Sequence, residues 1–316
     1  MATHQDTDDG ATTPGASSTS RRSRSHPHLV TKNAVSFMAL LADILRLYVV
    51  PPPSPDEYPG STLAIPTQEQ SLATAYVYMH KYRKFIRDSN NHAAATKPGA
   101  EPAPDFLDPH TLALTCLSLS TKSTESPRRL RSLITPAYTL LHPLSPPIRV
   151  PSHLYDTLRA TIVTSELYLL RILKFELRIP LPHEYIPRVL DTALSIIPGE
   201  ELSSISTEKM EEDKISRVVD TYLGRQCVNL ATRCLGEYSI ATFYDAKTIA
   251  CGVVGVVLEE NGVVPGEGVN RWVDMVAGRD VDLEDFRDVV KEVRVVYNGR
   301  DGAVEVQEIQ TDDDKK

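Results

Sequence analysis

One amphipathic segment, residues 153–175, constrains the fold of this 316-residue chain more than any other feature. Its apolar residues recur at intervals of three and four, the spacing that gathers side chains on one face of an α-helix. These positions are Leu154, Leu158, Ile162, Val163, Leu167, Leu169, Leu170 and Leu173. A single helix does not recover the conformational entropy of its own ordering in water, so it needs neighbours to pack against. We therefore expect a multi-helix domain with this apolar face in its core.

Prolines and small polar residues divide the rest of the chain into further helical segments. Asp108-Pro109 and Ser126-Pro127 are typical helix starts, because the first side chain caps free amides and proline fits the first turn. Proline repeats make residues 179–182 a stiff break, where we predict a domain boundary. The predicted helices are 33–49, a segment after Pro66, 109 onward, 126–141, 153–175, 183–197, 213–235, 243–260, 270–277 and 283–297.

The pattern predicts an all-α protein with two tandem five-helix domains. In each set the third helix is rich in small residues, which allow neighbouring helices to approach closely; they are Ala113, Cys116, Ser120, Ala246, Ala250, Gly252 and Gly255. We assign residues 1–28 to a disordered tail, 29–180 and 181–298 to the two domains, and 299–316 to a polar tail. Residues 88–107 are predicted to form a long surface loop.

Charge and hydropathy exclude two classes of partner. The chain has 34 Lys and Arg against 42 Asp and Glu, a net charge of −8, so we expect no direct binding of nucleic acid. The longest apolar stretch, residues 37–50, is interrupted by Asp43 and Arg46 and is shorter than a bilayer requires. We therefore expect no membrane partner.

Cysteine and histidine spacing gives no sign of a metal, cofactor or active site. No two of Cys116, Cys227, Cys234 and Cys251 have C-x-x-C spacing, so buried reduced thiols are expected. The histidines lack metal-ligand spacing and are interpreted as surface or capping residues; they include His80, His110, His142, His153 and His183. Gly266-Glu-Gly268 lacks the Lys and Ser/Thr of a phosphate-binding loop. We expect no cofactor and no enzymatic activity.

Glu166 is unusual within its own helix. Its neighbours at three and four residues are Ile162, Val163, Leu169 and Leu170, so this carboxylate emerges from an apolar face and needs a partner. From spacing alone, a local ion pair, a solvent-facing edge and a contact with another protein all remain open.

Motifs in a fixed order resemble those of the cyclin family, and in particular its transcription-associated branch. The most specific is TIVTSELYLLRILKFEL at 161–177, followed by PHEY at 182–185, which is similar to the family's fifth helix and the entry to its second box. LALTCLSLSTKSTE at 112–125 resembles the third helix, and AYVYMHKYRKF at 75–85 the second. Two later stretches, DAKTIACGVVGVVLEENG and RWVDMVAG, resemble the second box, so the resemblance spans residues 33 to 298.

This resemblance implies a regulatory subunit that binds and activates a cyclin-dependent Ser/Thr kinase as a heterodimer. The implied setting is RNA polymerase II transcription or RNA processing in the nucleus, with the cytoplasm as a further location. It implies that Lys122, Glu166, Glu125 and Leu170 contact the kinase. The chain departs from the family where K-x-E-E becomes Lys122-Ser-Thr124-Glu125, and it lacks the arginine-led first helix of cell-cycle members.

Two alternatives share the same fold. One is a double-cyclin-fold transcription factor that binds promoter DNA and proteins, and the other is a helical adaptor that binds no kinase. Separately, Ser/Thr-Pro pairs are potential substrates of a proline-directed kinase, although proline at helix starts and in loops accounts for most of them without function. They begin at Thr13, Ser54, Ser126, Thr135 and Ser145.

Overall fold

The computed structural model describes residues 27–45, 67–96, 105–196, 221–263 and 269–299, and these form helices joined by turns, with no β-strand among them. The helices are α1 (Pro27–Ile44), α2 (Thr67–Thr96), α3 (Pro109–Ser123), α4 (Leu130–Leu141), α5 (His153–Ile172), α6 (Pro182–Ile196), α7 (Tyr222–Gly236), α8 (Tyr238–Phe243), α9 (Ala246–Glu260), α10 (Val269–Val276) and α11 (Leu283–Asn298). The all-α prediction is confirmed. None of these helices is both long and apolar enough to cross a membrane.

Several predicted boundaries in the first half are wrong, including the end of the 153–175 helix, since α5 ends at Ile172. Helix α1 begins at Pro27, so the predicted tail is helical at its last two residues, and α1 ends at Ile44. Helix α2 continues to Thr96, through the start of the predicted 88–107 loop, because Ala93–Ala95 favour helix and the first proline after Pro66 is Pro98. Helix α4 begins at Leu130, after Arg129, and Ser126-Pro127 lies outside it. Residues 1–26, 46–49, 97–104, 197, 213–220 and 300–316 of the predicted elements lie outside the described residues, as do the predicted Ser/Thr-Pro pairs at Thr13 and Ser54.

The small-residue helices α3 and α9 lie at the centre of their respective groups. Helix α3 packs against α1, α2, α4 and α5, and every residue from Leu112 to Thr121 is buried. Helix α9 packs against α6, α7 and α11. At Gly252 an added Cβ would overlap the Val289 side chain of α11, so glycine is required for this close approach. The close packing that their small residues predict is confirmed for both helices.

Helix α7 connects the two halves of the chain. It packs against α2 from the first half and against α6, α9 and α11 from the second. The imidazole of His80 in α2 donates from Nε2 to the Leu235 carbonyl in α7, 3.0 Å away. Residues 173–181, between α5 and α6, contain no helix, and the predicted boundary after residue 180 falls at their end. The division into domains at that point remains a prediction.

Candidate functional site

Lys122 and Glu166, which are 44 residues apart in sequence, form an ion pair. Lys122 is in the last turn of α3 and its Nζ lies 2.7 Å from both carboxylate oxygens of Glu166 in α5. Ser118, one turn earlier in α3, donates its hydroxyl to Glu166 Oε1 at 2.6 Å. The side chain of Glu166 is 11% exposed, whereas that of Lys122 is 43% exposed. The carboxylate is therefore fixed by two donors from α3, and the cation that neutralises it is accessible at the surface.

The position of Glu166 follows from the two faces of α5. Ile162, Ser165 and Leu169 are buried against the core. Val163 and Leu167, one turn apart on the neighbouring face, are 41% and 56% exposed. At 100° per residue, Glu166 falls between these two faces. This explains how its carboxylate can pair inward while exposed aliphatic groups lie beside it.

The prediction that the whole apolar face of this helix is core is therefore wrong. Leu154, Val163 and Leu167 are exposed, while Leu170 is half-buried and packs against the core. Val163 and Leu167 thus present aliphatic surface beside the ion pair. Leu170, which was predicted to contact the kinase, is less accessible because it packs partly against the core.

The turn that ends α5 exposes an aromatic ring. Lys174 and Phe175 have φ of 55° and 61°, a left-handed backbone conformation that residues other than glycine rarely adopt. The amide of Phe175 donates to the Leu170 carbonyl at 2.9 Å, which closes the helix end. Phe175 is 69% exposed. Phe175 thus places a large apolar side chain at the surface from a strained backbone position.

The hydroxyl of Tyr78 links this turn to the end of α3. Its oxygen lies 3.0 Å from Ser123 Oγ and donates to the Leu177 carbonyl at 2.7 Å. Ser123 follows Lys122, and Leu177 is two residues after Phe175. Burial raises the pKa of Tyr78, so its hydroxyl remains protonated and able to donate. We refer to Lys122, Glu166, Val163, Leu167 and Phe175 as the α3/α5 surface.

Glu125 is not brought into this arrangement. It is exposed with φ of 56°, and it makes no ion pair or side-chain hydrogen bond to any described residue. Thr124, which replaces a carboxylate of the family pattern, instead bonds to Ser71 Oγ in α2 at 2.7 Å and donates to the Ser120 carbonyl at 2.9 Å. The departure at Thr124 therefore supports the end of α3 and does not affect Glu166.

The prediction for the histidines is wrong at two positions. His80 and His183 are buried, with 2% and 0% exposure. Nε2 of His183 lies 2.9 Å from Thr232 Oγ1, and the Thr232 hydroxyl donates to the Val228 carbonyl, so His183 is the donor. Burial lowers the pKa of both imidazoles to about 4.

The four thiols are free and buried, as predicted. Burial raises the pKa of Cys227, Cys234 and Cys251 to about 12, so these thiols are protonated and unreactive at neutral pH. Within the described ranges, no group of three His, Cys, Asp or Glu side chains could hold a metal ion.

Sequence reasoning missed Phe175 and Ser118 as members of this site. Phe175 is the last residue of the predicted 153–175 helix, and an aromatic residue at that end was the available signal. Ser118 lies one turn before Lys122, the spacing at which two donors on one helix reach the same acceptor. Neither signal distinguishes an exposed residue from a buried one.

Comparisons with known proteins support the resemblance at the level of fold. No protein-family model matches the chain. A stretch of 170 residues, 53% of this chain, is 22% identical to Cyclin-T1.2 of Caenorhabditis elegans and covers 27% of that protein's length. A chain in the crystal structure of the yeast RNA polymerase II CTD kinase CTDK-1 complex is 14% identical, with a TM-score of 0.51 over 92% of this chain and 73% of that one. The predicted cyclin-like fold is thereby confirmed.

Proposed function

We propose that this cyclin-like chain is the regulatory subunit of a cyclin-dependent Ser/Thr protein kinase, which it binds and activates through the α3/α5 surface. The observation that carries the proposal is the buried Glu166 carboxylate, held by Lys122 and Ser118 next to exposed Val163 and Leu167. In this proposal the chain supplies no catalytic group of its own.

The physical mechanism is a shift in the kinase's conformational equilibrium. An active kinase requires an ion pair between a strand lysine and a glutamate on a mobile helix. A partner that binds only the conformation with this helix turned inward increases its population in proportion to the difference in affinity. The α3/α5 surface offers aliphatic side chains to the apolar side of such a helix, and the Lys122–Glu166 pair offers polar groups to its backbone and charged side chains.

The α3/α5 surface has the features of an energetically effective interface. Its anion and cation are already paired, so binding does not have to order two long side chains. Exposed Phe175 provides an aromatic anchor, a residue class that dominates the energetics of interfaces, and exposed Leu167 adds aliphatic area beside it. Kinase contacts of Glu125 and Leu170 remain predictions: Glu125 lies outside this arrangement, and Leu170 is half-buried against the core.

RNA polymerase II transcription or RNA processing in the nucleus is the setting we propose. Support comes from the solved relative, which belongs to an RNA polymerase II CTD kinase complex, and from the likeness to Cyclin-T1.2. Both are properties of those proteins, and the identity of the kinase that binds this chain is part of the proposal.

The experiment measures binding of the full chain to a panel of purified cyclin-dependent kinases by biolayer interferometry. We expect one or more kinases to bind, and the Lys122→Ala/Glu166→Ala double variant to lose about 2–4 kcal/mol of binding free energy while its circular dichroism stays unchanged. Lys247→Ala is the matched control, because Lys247 and Asp280 form an ion pair of the same 2.7 Å length in the second half of the chain. Equal affinity of the double variant and the wild type would remove both residues from the interface.

The same preparation separates the alternatives. Retention of promoter DNA at physiological salt, without kinase binding, would favour the transcription-factor alternative. If neither a kinase nor DNA binds, the adaptor alternative gains and the proposal is lost.

A further inference from the structure

Three Ser/Thr-Pro pairs lie in the described part of the chain, and their hydroxyl groups differ sharply in accessibility. Ser126 Oγ and Thr135 Oγ1 are buried and have no hydrogen-bond partner among the described residues. Ser145 is exposed. The sequence does not separate these three pairs, since each has a hydroxyl residue directly before proline.

The backbone around Ser126 and Thr135 keeps both hydroxyls inaccessible. The amide of Ser126 donates to the Thr121 carbonyl at 2.9 Å, which holds this residue against the end of α3. Thr135 lies within α4, and Pro136 is inside the same helix. A hydroxyl must reach the catalytic aspartate of a kinase and the γ-phosphate of ATP in line before it can react. Neither site meets this requirement in the folded chain.

In contrast to Ser126 and Thr135, Ser145 lies in an exposed segment that joins α4 to α5. Residues 142–147 are all exposed, and the neighbouring Leu144 is 100% exposed. The Ser145 amide donates to the His142 carbonyl at 3.0 Å in a turn, and the residue itself stays exposed there. Because it precedes proline, Ser145 is biased to the extended conformations in which a substrate lies along a cleft. Residues 142–152 contain no Asp or Glu but do contain Arg149, so a phosphate here has no acidic neighbour within the segment.

We infer that Ser145 is a phosphorylation site for a proline-directed Ser/Thr kinase, and that the fold closes Ser126 and Thr135 to the same enzyme. The Ser145 oxygen attacks the γ-phosphorus of Mg-ATP, and an O–P bond forms while the bond to the bridging oxygen of ADP breaks. The hydroxyl proton passes to the catalytic aspartate of the kinase. The inference rests on accessibility and does not depend on the proposed function.

The test compares the folded full chain with three peptides, residues 121–131, 130–140 and 140–150. Each is incubated with Mg-ATP and a purified mitogen-activated protein kinase, and site occupancy is measured by mass spectrometry. In the folded chain we expect Ser145 to be phosphorylated at least tenfold more than Ser126 or Thr135. In the peptides, where burial is absent, we expect the Ser126 peptide to react at least as fast as the Ser145 peptide.

Two variants complete the design. Ser145→Ala is expected to abolish phosphate in residues 140–150 of the full chain, whereas Ser126→Ala, the matched control, leaves occupancy at Ser145 unchanged. Comparable occupancy of Ser126 and Ser145 in the folded chain would overturn the inference, as would an unmodified Ser145. An unreactive Ser126 peptide would overturn burial as the cause of the selection.

Discussion

Lys122 places its ammonium 2.7 Å from both carboxylate oxygens of Glu166, so a half-exposed cation covers a nearly buried anion. Removal of the cation alone leaves the carboxylate with Ser118 as its single remaining donor. A buried charge that loses its partner costs more than the pair itself contributes. The effects of replacing Lys122 and Glu166 on stability are therefore coupled.

This relationship predicts non-additive effects on stability. We expect Lys122→Ala to lower the free energy of unfolding by about 1–2 kcal/mol, less than for a fully buried pair because Lys122 is partly solvated. Adding Glu166→Ala should recover part of this loss, since no buried anion then remains. Urea denaturation of the two single variants and the double variant measures the coupling. Strictly additive losses would mean that the pair contributes nothing to the fold.

Phe175 offers a test in which stability and binding move in opposite directions. Phe175→Gly removes a side chain from a left-handed backbone position, so we expect the free energy of unfolding to rise by up to about 1 kcal/mol. Loss of the exposed ring should at the same time weaken kinase binding at least tenfold. Val295→Ala is the control, because Val295 is 73% exposed on α11. A Gly variant that binds the kinase as well as the wild type would exclude Phe175 from the interface.

The glycines of α9 give a matched pair for the packing of the second half. We expect Gly252→Ala to destabilise the chain by about 1–3 kcal/mol, because the added methyl overlaps Val289. At Gly255 the nearest atoms, in Phe286 and Trp272, would lie 3.6 Å from a Cβ, an ordinary contact. Gly255→Ala should therefore be neutral or stabilising by up to about 1 kcal/mol, the gain in helix propensity. Thermal unfolding compares them, and equal destabilisation by both variants would contradict the described α9–α11 contact.

Two buried histidines predict a loss of stability in mild acid. His80 and His183 have a pKa of about 4 in the folded chain against 6.5 for a free imidazole, mainly because of burial. As the pH falls from 6.5 towards 4, these two histidines bind protons in the unfolded chain and not in the folded one. Their contribution to stability therefore decreases across this window and is constant above it. Each histidine accounts for a loss of about 3 kcal/mol at most.

The measurement is urea denaturation between pH 7.5 and pH 4.5. His80→Gln keeps a donor for the Leu235 carbonyl and removes the titrating group, so its stability should depend less on pH than that of the wild type. Identical pH dependence of the two proteins would show that His80 is not the neutral, buried group described above.

Local signals made much of the fold predictable. Asp108 accepts hydrogen bonds from the amides of His110 and Thr111, as its place before Pro109 predicted. The same Ser/Asp-Pro signal failed at Ser126. Its hydroxyl caps no amide, because Glu125 has a left-handed backbone and α4 begins only at Leu130. A helix cap is encoded by a few local residues. Whether a given Ser/Asp-Pro pair starts a helix also depends on how the preceding helix ends.

The candidate site was predictable in its charged residues and not in its apolar ones. Glu166 was identifiable because a carboxylate on an apolar face needs a partner. Val163 and Leu167 have the spacing of core residues, and exposure depends on which helices pack against α5, which periodicity does not encode. For the same reason His80 and His183 could not be recognised as buried, since α7 covers both and begins far along the chain.

Kinase turnover tests the central claim most directly. A kinase that binds the chain is titrated with wild-type protein, the Lys122→Ala/Glu166→Ala variant or the Lys247→Ala control, and phosphate transfer to a Ser-Pro peptide is followed. We predict a saturable increase in turnover with the wild type and the control, and at least a tenfold higher concentration of the double variant for the same increase. Turnover that does not respond to the wild-type chain, or responds equally to the double variant, would contradict activation through the α3/α5 surface.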